Sequence, residues 1–194
     1  MPATIPTSYQ SSSALNSTRR PQVRWLITAL VALAELGHLA WQVFHGGIER
    51  HHLLNQAELP AISNAWGAVL LPLLAWFLAG RLLRRATTTR AAKTLAAAAC
   101  GALVAGIALS LAFVSGDADA PAYVLLGVIL VGLVLPIYRS EYVLGFVLGM
   151  SITFGPILPA LVATVIAAVS AVAHCWVRPA FGWAFGWVSA RVTT

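Results

Sequence analysis

Residues 25–44 read WLITALVALAELGHLAWQVF. About 20 residues in helical form, at about 1.5 Å each, cover the ~30 Å hydrocarbon core of a bilayer. The stretch therefore predicts a transmembrane helix, and it carries Glu35 near its middle. A charged carboxylate at the centre of such a helix costs about 2.5–3.5 kcal/mol even on a lenient insertion scale. With Glu35 set to zero and 100° per residue, His38 falls at about 300°, Gln42 at about 340°, His45 at about 280° and Thr28 at about 20°. The polar residues thus share one arc of an otherwise apolar helix, a track from the outer mouth to mid-membrane.

The rest of the chain has the same character. Its 194 residues are 59% hydrophobic and 9% charged, against about 45–50% and about 25% for an ordinary soluble domain. This excludes a soluble cytosolic enzyme, a free nucleic-acid-binding domain and a disordered protein. The net charge of +6 is a matter of orientation. Residues 81–93, RLLRRATTTRAAK, hold five positive charges and no negative one. Under the positive-inside rule this loop faces the cytoplasm, and Arg19, Arg20 and Arg24 place the amino terminus there too.

The expected architecture is all-α, a polytopic helical bundle integral to a bacterial-type inner membrane, with about five spans and a sixth as the alternative. Residues 1–22, rich in Ser, Thr and Pro, read as a disordered cytoplasmic tail. The bundle occupies 23–175, and 176–194 form an aromatic interfacial tail around Trp176, Trp183 and Trp187. Linker 45–62 faces the periplasm or exterior. Span two runs over about 64–83, with Ser63 or Asn64 as N-cap. Span three, about 94–115, carries a small-residue stripe at Ala97, Gly101 and Ala105. Asp117 and Asp119 read as a helix-capping turn before span four, 121–138. Residues 142–175 are too long for one span and short for two. We expect one tilted helix kinked at Gly155-Pro156, the alternative being two half-spans. Gly145 and Gly149 supply a GxxxG contact face. Cys100 and Cys175, without CxxC spacing, read as small core hydrophobes.

Chemistry concentrates on the first span and the linker after it. Glu35-x-x-His38 has the i, i+3 spacing that brings a carboxylate and an imidazole to one metal, as in di-iron carboxylate bundles. Four of five histidines, His38, His45, His51 and His52, fall within residues 38–52. Imidazole and carboxylate together suit a transition metal such as Zn or Fe. The cluster resembles the histidine boxes of membrane desaturases and hydroxylases, but no box is complete. Further glutamates of the ferritin-like kind are also missing. No phosphate-loop, dinucleotide-binding, nucleophile-elbow or HExxH motif occurs.

Three functions follow as expectations. In the first, Glu35, His38, His45, His51 and His52 form a metal site, with Glu35 and His38 catalytic, in a membrane enzyme acting on a lipid- or quinone-like substrate. In the second, Glu35 gates a small proton- or cation-coupled transporter, with His38 as relay. In the third, the chain is a structural subunit. The lipid bilayer is the expected partner, with a homo-oligomer or another membrane subunit permitted and no nucleic acid. If the Gly155-Pro156 break packs against Glu35, the two oddities form one site.

Overall fold

The computed structural model describes residues 7–48, 50–52 and 61–177. Six helices follow in order: α1 (Thr7–Phe44), α2 (Gly67–Arg85), α3 (Thr89–Val114), α4 (Ala120–Val134), α5 (Ser140–Phe154) and α6 (Ile157–Val172). A π turn, Ala173–Val177, ends α6. Between α1 and α2, β1 (Arg50–His52) pairs antiparallel with β2 (Ala61–Ser63), with Arg50 opposite Ser63 and His52 opposite Ala61. Among the described residues four helical stretches are long and apolar enough to cross a membrane: Arg20–Phe44, Asn64–Arg85, Thr89–Val114 and Ile157–Trp176. Their outward faces keep large apolar side chains exposed, including Leu33, Phe77, Leu111 and Val165. Such surface is out of place on a water-soluble monomer.

Each boundary has a local cause. Gly46 and Gly47, both at positive φ, stop α1. Ser63 caps the short 3₁₀ turn Asn64–Trp66 by accepting from Ala65 N at 3.2 Å, and that turn opens α2. Thr88 caps α3 through Ala91 N. Asp117 Oδ1 accepts from Asp119 N at 2.9 Å and starts α4, as the sequence predicts. Leu135 is extended because it precedes Pro136, so α4 ends earlier than its apolar run. Helix also begins earlier than the tail boundary at residue 22 implies, since α1 reaches back to Thr7. Once a span is formed, propagation adds one hydrogen bond per residue fixed. The aromatic tail past Val177 lies outside the described residues.

α5 is the central helix, with Leu144, Val147 and Met150 buried between Leu71 and Leu78 of α2, Leu109 of α3 and Ile166 of α6. Gly145 and Gly149 let it touch α3 backbone to backbone. A Cβ on either would overlap the carbonyl oxygen of Ala99 or Leu103. The GxxxG expectation therefore holds, and Gly106 of α3 meets Phe146 O in the same way. The stripe expected on α3 is displaced: Ala97 and Gly101 face outward, and nothing lies within 4 Å of a Cβ on Gly101. Cys100 and Cys175 are exposed rather than core residues. A low-polarity thiol tolerates an apolar outward face as readily as a core.

The stretch 142–175 is not one kinked helix. Ser170 Oγ donates to Gly132 O at 2.8 Å and approaches Leu135 O at 3.2 Å. His174 Nε2 lies 3.3 Å from Val134 O. The end of α6 is thus beside the end of α4, a few residues from the start of α5. Two helices in line could not bring Ser170 back there, so α5 and α6 form a hairpin folded at Gly155-Pro156. Gly155 adopts φ +66°, which favours glycine, and Pro156 then begins the return helix. The bundle therefore has a loop end, with Asn64, Gly116 and Gly155, and an arginine end, with Arg85, Arg90 and Arg139.

Candidate functional site

Glu35 is buried, at 6% exposure. Its carboxylate fills the space beside Gly67, the first residue of α2. A Cβ on Gly67 would overlap Glu35 Oε1 and lie 3.2 Å from Pro156 Cγ. The adjacent Gly155 meets Asn64 instead, whose Oδ1 would overlap a Cβ at that position. Asn64 is 2% exposed, and its Nδ2 has no hydrogen-bond partner in the structure. The carboxylate of α1, the opening turn of α2 and the α5–α6 turn therefore meet at one place, and the two oddities of the sequence are one site.

The register of α1 against α2 sets where Glu35 lies along the bundle. α1 and α2 run antiparallel, with Arg24 over Gly80 and Glu35 over Gly67. The 19 residues of α2 span about 28 Å. Glu35 consequently sits at the loop end of the bundle, far from the arginine end. Within the apolar stretch Arg20–Phe44 it is still near the middle, because α1 overhangs its partner beyond Gly67.

His38 follows Glu35 by one turn, and its Nδ1 is 3.8 Å from Glu35 Oε2. That is ion-pair range and longer than a hydrogen bond. Gln42, also buried, contacts His38 Nε2 through its amide nitrogen at 3.2 Å. With the amide in this orientation, Gln42 donates and Nε2 accepts. The imidazole proton then sits on Nδ1, facing the carboxylate. Glu35, His38 and Gln42 thus form a row along one face of α1, as the sequence predicts.

His45 does not join them. α1 has already ended at Phe44, so His45 leaves the helical arc. Its ring stacks on Trp41 at 3.8 Å, and its Nδ1 donates to Trp41 O at 2.8 Å, capping a carbonyl the helix end leaves open. The side chains of His51 and His52 lie outside the described residues. Among the described residues no three His, Cys, Asp or Glu side chains converge on a point that could hold a metal. Thr28, assigned to the same arc, has its Oγ1 buried without a partner.

A cavity of about 320 Å³ opens beside the pair, between α1, α2 and α5. Glu35, His38 and Ser151 line it towards the loop end, and Leu30, Val31 and Leu148 line it towards the bundle centre. Leu30 and Ile152 at its rim are exposed on the outward apolar surface. The opening is therefore lateral. Such a cavity admits an elongated molecule with an apolar body and a polar head, and sets the Glu35 carboxylate, with the His38 imidazole next to it, beside that head.

Two contributors escape a sequence reading. Asn64 reads as an N-cap and Gly67 carries no signal of its own, and only the packing of α1 and Gly155 against them gives them a part here. Glu141, in the turn that opens α5, is 2% exposed, less than Glu35. One Arg85 nitrogen, Nη1, donates to both its oxygens at 2.8 and 2.9 Å. The basic loop that signalled orientation also supplied its counter-ion. No family model, no curated protein and no solved structure matches this chain.

Proposed function

We propose that this chain is a multi-pass membrane protein of the cell membrane that binds a lipid-like amphiphile and exchanges a proton with its head through Glu35 and His38. In this reading the arginine end faces the cytoplasm under the positive-inside rule. The loop end and linker 45–62 face the periplasm, and all six helices lie within the bilayer region. The single observation that carries the proposal is the gradient along the cavity. Its polar end holds the Glu35–His38 pair at the loop end, its apolar end points to the bundle centre, and its mouth opens sideways on the apolar surface. An aqueous ion path would need polar lining along its length, whereas a membrane amphiphile needs this arrangement.

The test uses the full chain in phosphatidylcholine nanodiscs with a long-chain amine that carries a diazirine in its tail. Photolabelling is expected around Leu148 and Ile152, and is lost when Leu30→Trp fills the cavity. Labelling is weakened in Glu35→Gln, which removes the charged acceptor. Labelling unchanged in both variants overturns the proposal.

A second reading, a proton-coupled transporter, draws support from Glu35 and Pro156 of the α5–α6 turn both lying against Gly67. Interrupted helices flank binding sites in transporters. In that case proton flux in proteoliposomes depends on Glu35. The metal centre expected from the histidines needs His51 or His52 to complete it, since Glu35 and His38 supply only two ligands.

A further inference from the structure

At the arginine end, the last turns of α2 and the loop between α4 and α5 enclose a recess of about 360 Å³. Arg81, Arg84 and Arg85 line it from α2, and Tyr138 and Arg139 from the opposite wall. Of these four arginines, Arg85 is paired with the Glu141 carboxylate. Among the described residues no carboxylate pairs with Arg81, Arg84 or Arg139. The recess thus carries a net excess of three positive charges.

A basic loop that served only to orient the chain would need no particular shape. Here the arginines come from two segments far apart in sequence and surround a hollow. The Arg85–Glu141 ion pair fixes one wall, because Glu141 is buried in the first turn of the central helix. The planar guanidinium group matches phosphate oxygens two at a time, which favours a phosphate over a carboxylate or chloride guest. The outward surface next to the recess is apolar. Phe77 lies one turn before Arg81 on α2, and Leu133 and Val134 lie on the last turn of α4; all three are exposed. A phosphate seated among the arginines could therefore have acyl chains running along these residues.

We propose that this recess is a binding site for the phosphate of an anionic lipid headgroup. Basic pockets between helices on the cytoplasmic side of a membrane hold such groups. The site is independent of the Glu35 cavity, at the opposite end of the bundle.

The experiment titrates dioctanoyl phosphatidylglycerol into the detergent-solubilised full chain and counts bound lipid by native mass spectrometry. Inorganic phosphate and dioctanoyl glycerol are run in parallel. The Arg84→Gln/Arg139→Gln variant is expected to bind the lipid roughly 30-fold more weakly, a factor of about five per arginine. A charge-matched control, Arg20→Gln/Lys93→Gln, touches neither the recess nor the ion pair and should bind as the parent does. Dioctanoyl glycerol, lacking the phosphate, should not compete. Competition by millimolar inorganic phosphate would keep the phosphate site and assign its source to a soluble anion; its failure to compete assigns the lipid. Equal weakening in the two variants, or none in either, overturns the site. Both arginines are exposed and outside the Arg85–Glu141 pair, so folding is expected to survive their replacement.

Discussion

Glu35 of α1 lies where a side chain on Gly67 of α2 would begin, and Pro156 closes the same point from the α5–α6 turn. This three-way contact ties the carboxylate to the fold. It makes Gly67 a position where size matters, although nothing in its own helix demands a glycine.

Gly67→Ala should therefore displace the Glu35 carboxylate, cost about 1–3 kcal/mol of stability and reduce photolabelling of the cavity. Gly101→Ala is the contrast, since nothing lies within 4 Å of its Cβ. There the helix gains about 0.5–1 kcal/mol. Thermal unfolding in detergent reads both, and equal effects would contradict the contact.

Gly155→Ala faces two obstacles, a φ of +66° and the Asn64 amide. A loss of about 1–3 kcal/mol is expected. The double variant with Asn64→Ala should recover part of it, because the steric obstacle goes while the backbone one stays. No recovery in thermal unfolding would mean that Asn64 does not press on the turn.

The Arg85–Glu141 pair predicts a coupling. Arg85→Ala leaves Glu141 buried and charged without its partner, at a cost of about 2 kcal/mol, discounted because Arg85 is partly exposed. The double-mutant cycle with Glu141→Gln should return a coupling of about 1–2 kcal/mol. Additive losses would show the pair to be energetically idle.

His45 stacks on Trp41, away from Glu35. His45→Ala should accordingly leave cavity labelling and the metal content of the purified protein unchanged. A stoichiometric metal lost on that substitution, read by plasma mass spectrometry, would restore the histidine set expected from the sequence.

The hairpin of α5 and α6 places the end of α6 at the arginine end. With the arginine end on the cytoplasmic side, as proposed, a reporter fused after Thr194 should be active in the cytoplasm. Activity on the periplasmic side would require the five-span arrangement.

Much of the fold was legible because apolarity and helical periodicity belong to each segment taken alone. Apolar runs, basic loops, the Gly145/Gly149 face and the Asp117 cap can be read without knowing any partner. The row of Glu35, His38 and Gln42 was legible for a related reason, since helical periodicity alone sets it. His45 departs from that row because periodicity was carried one residue past Phe44, where the helix ends ahead of Gly46 and Gly47.

What remained depended on neighbours distant in sequence. The 34 residues from Tyr142 to Cys175 allow a straight or a folded path. The hairpin is decided by Ser170 reaching carbonyls of α4. The depth of Glu35 depends on how far α1 slides past α2, which Gly67 and Gly80 fix through the side chains laid over them. The burial of Glu141 likewise needs Arg85 from another helix. By itself the sequence determined which segments suit lipid and which residues share a helix face, because those properties are local. Tertiary structure alone decided where the helices turn back and which charges meet, because those depend on close packing between surfaces the chain brings together only on folding.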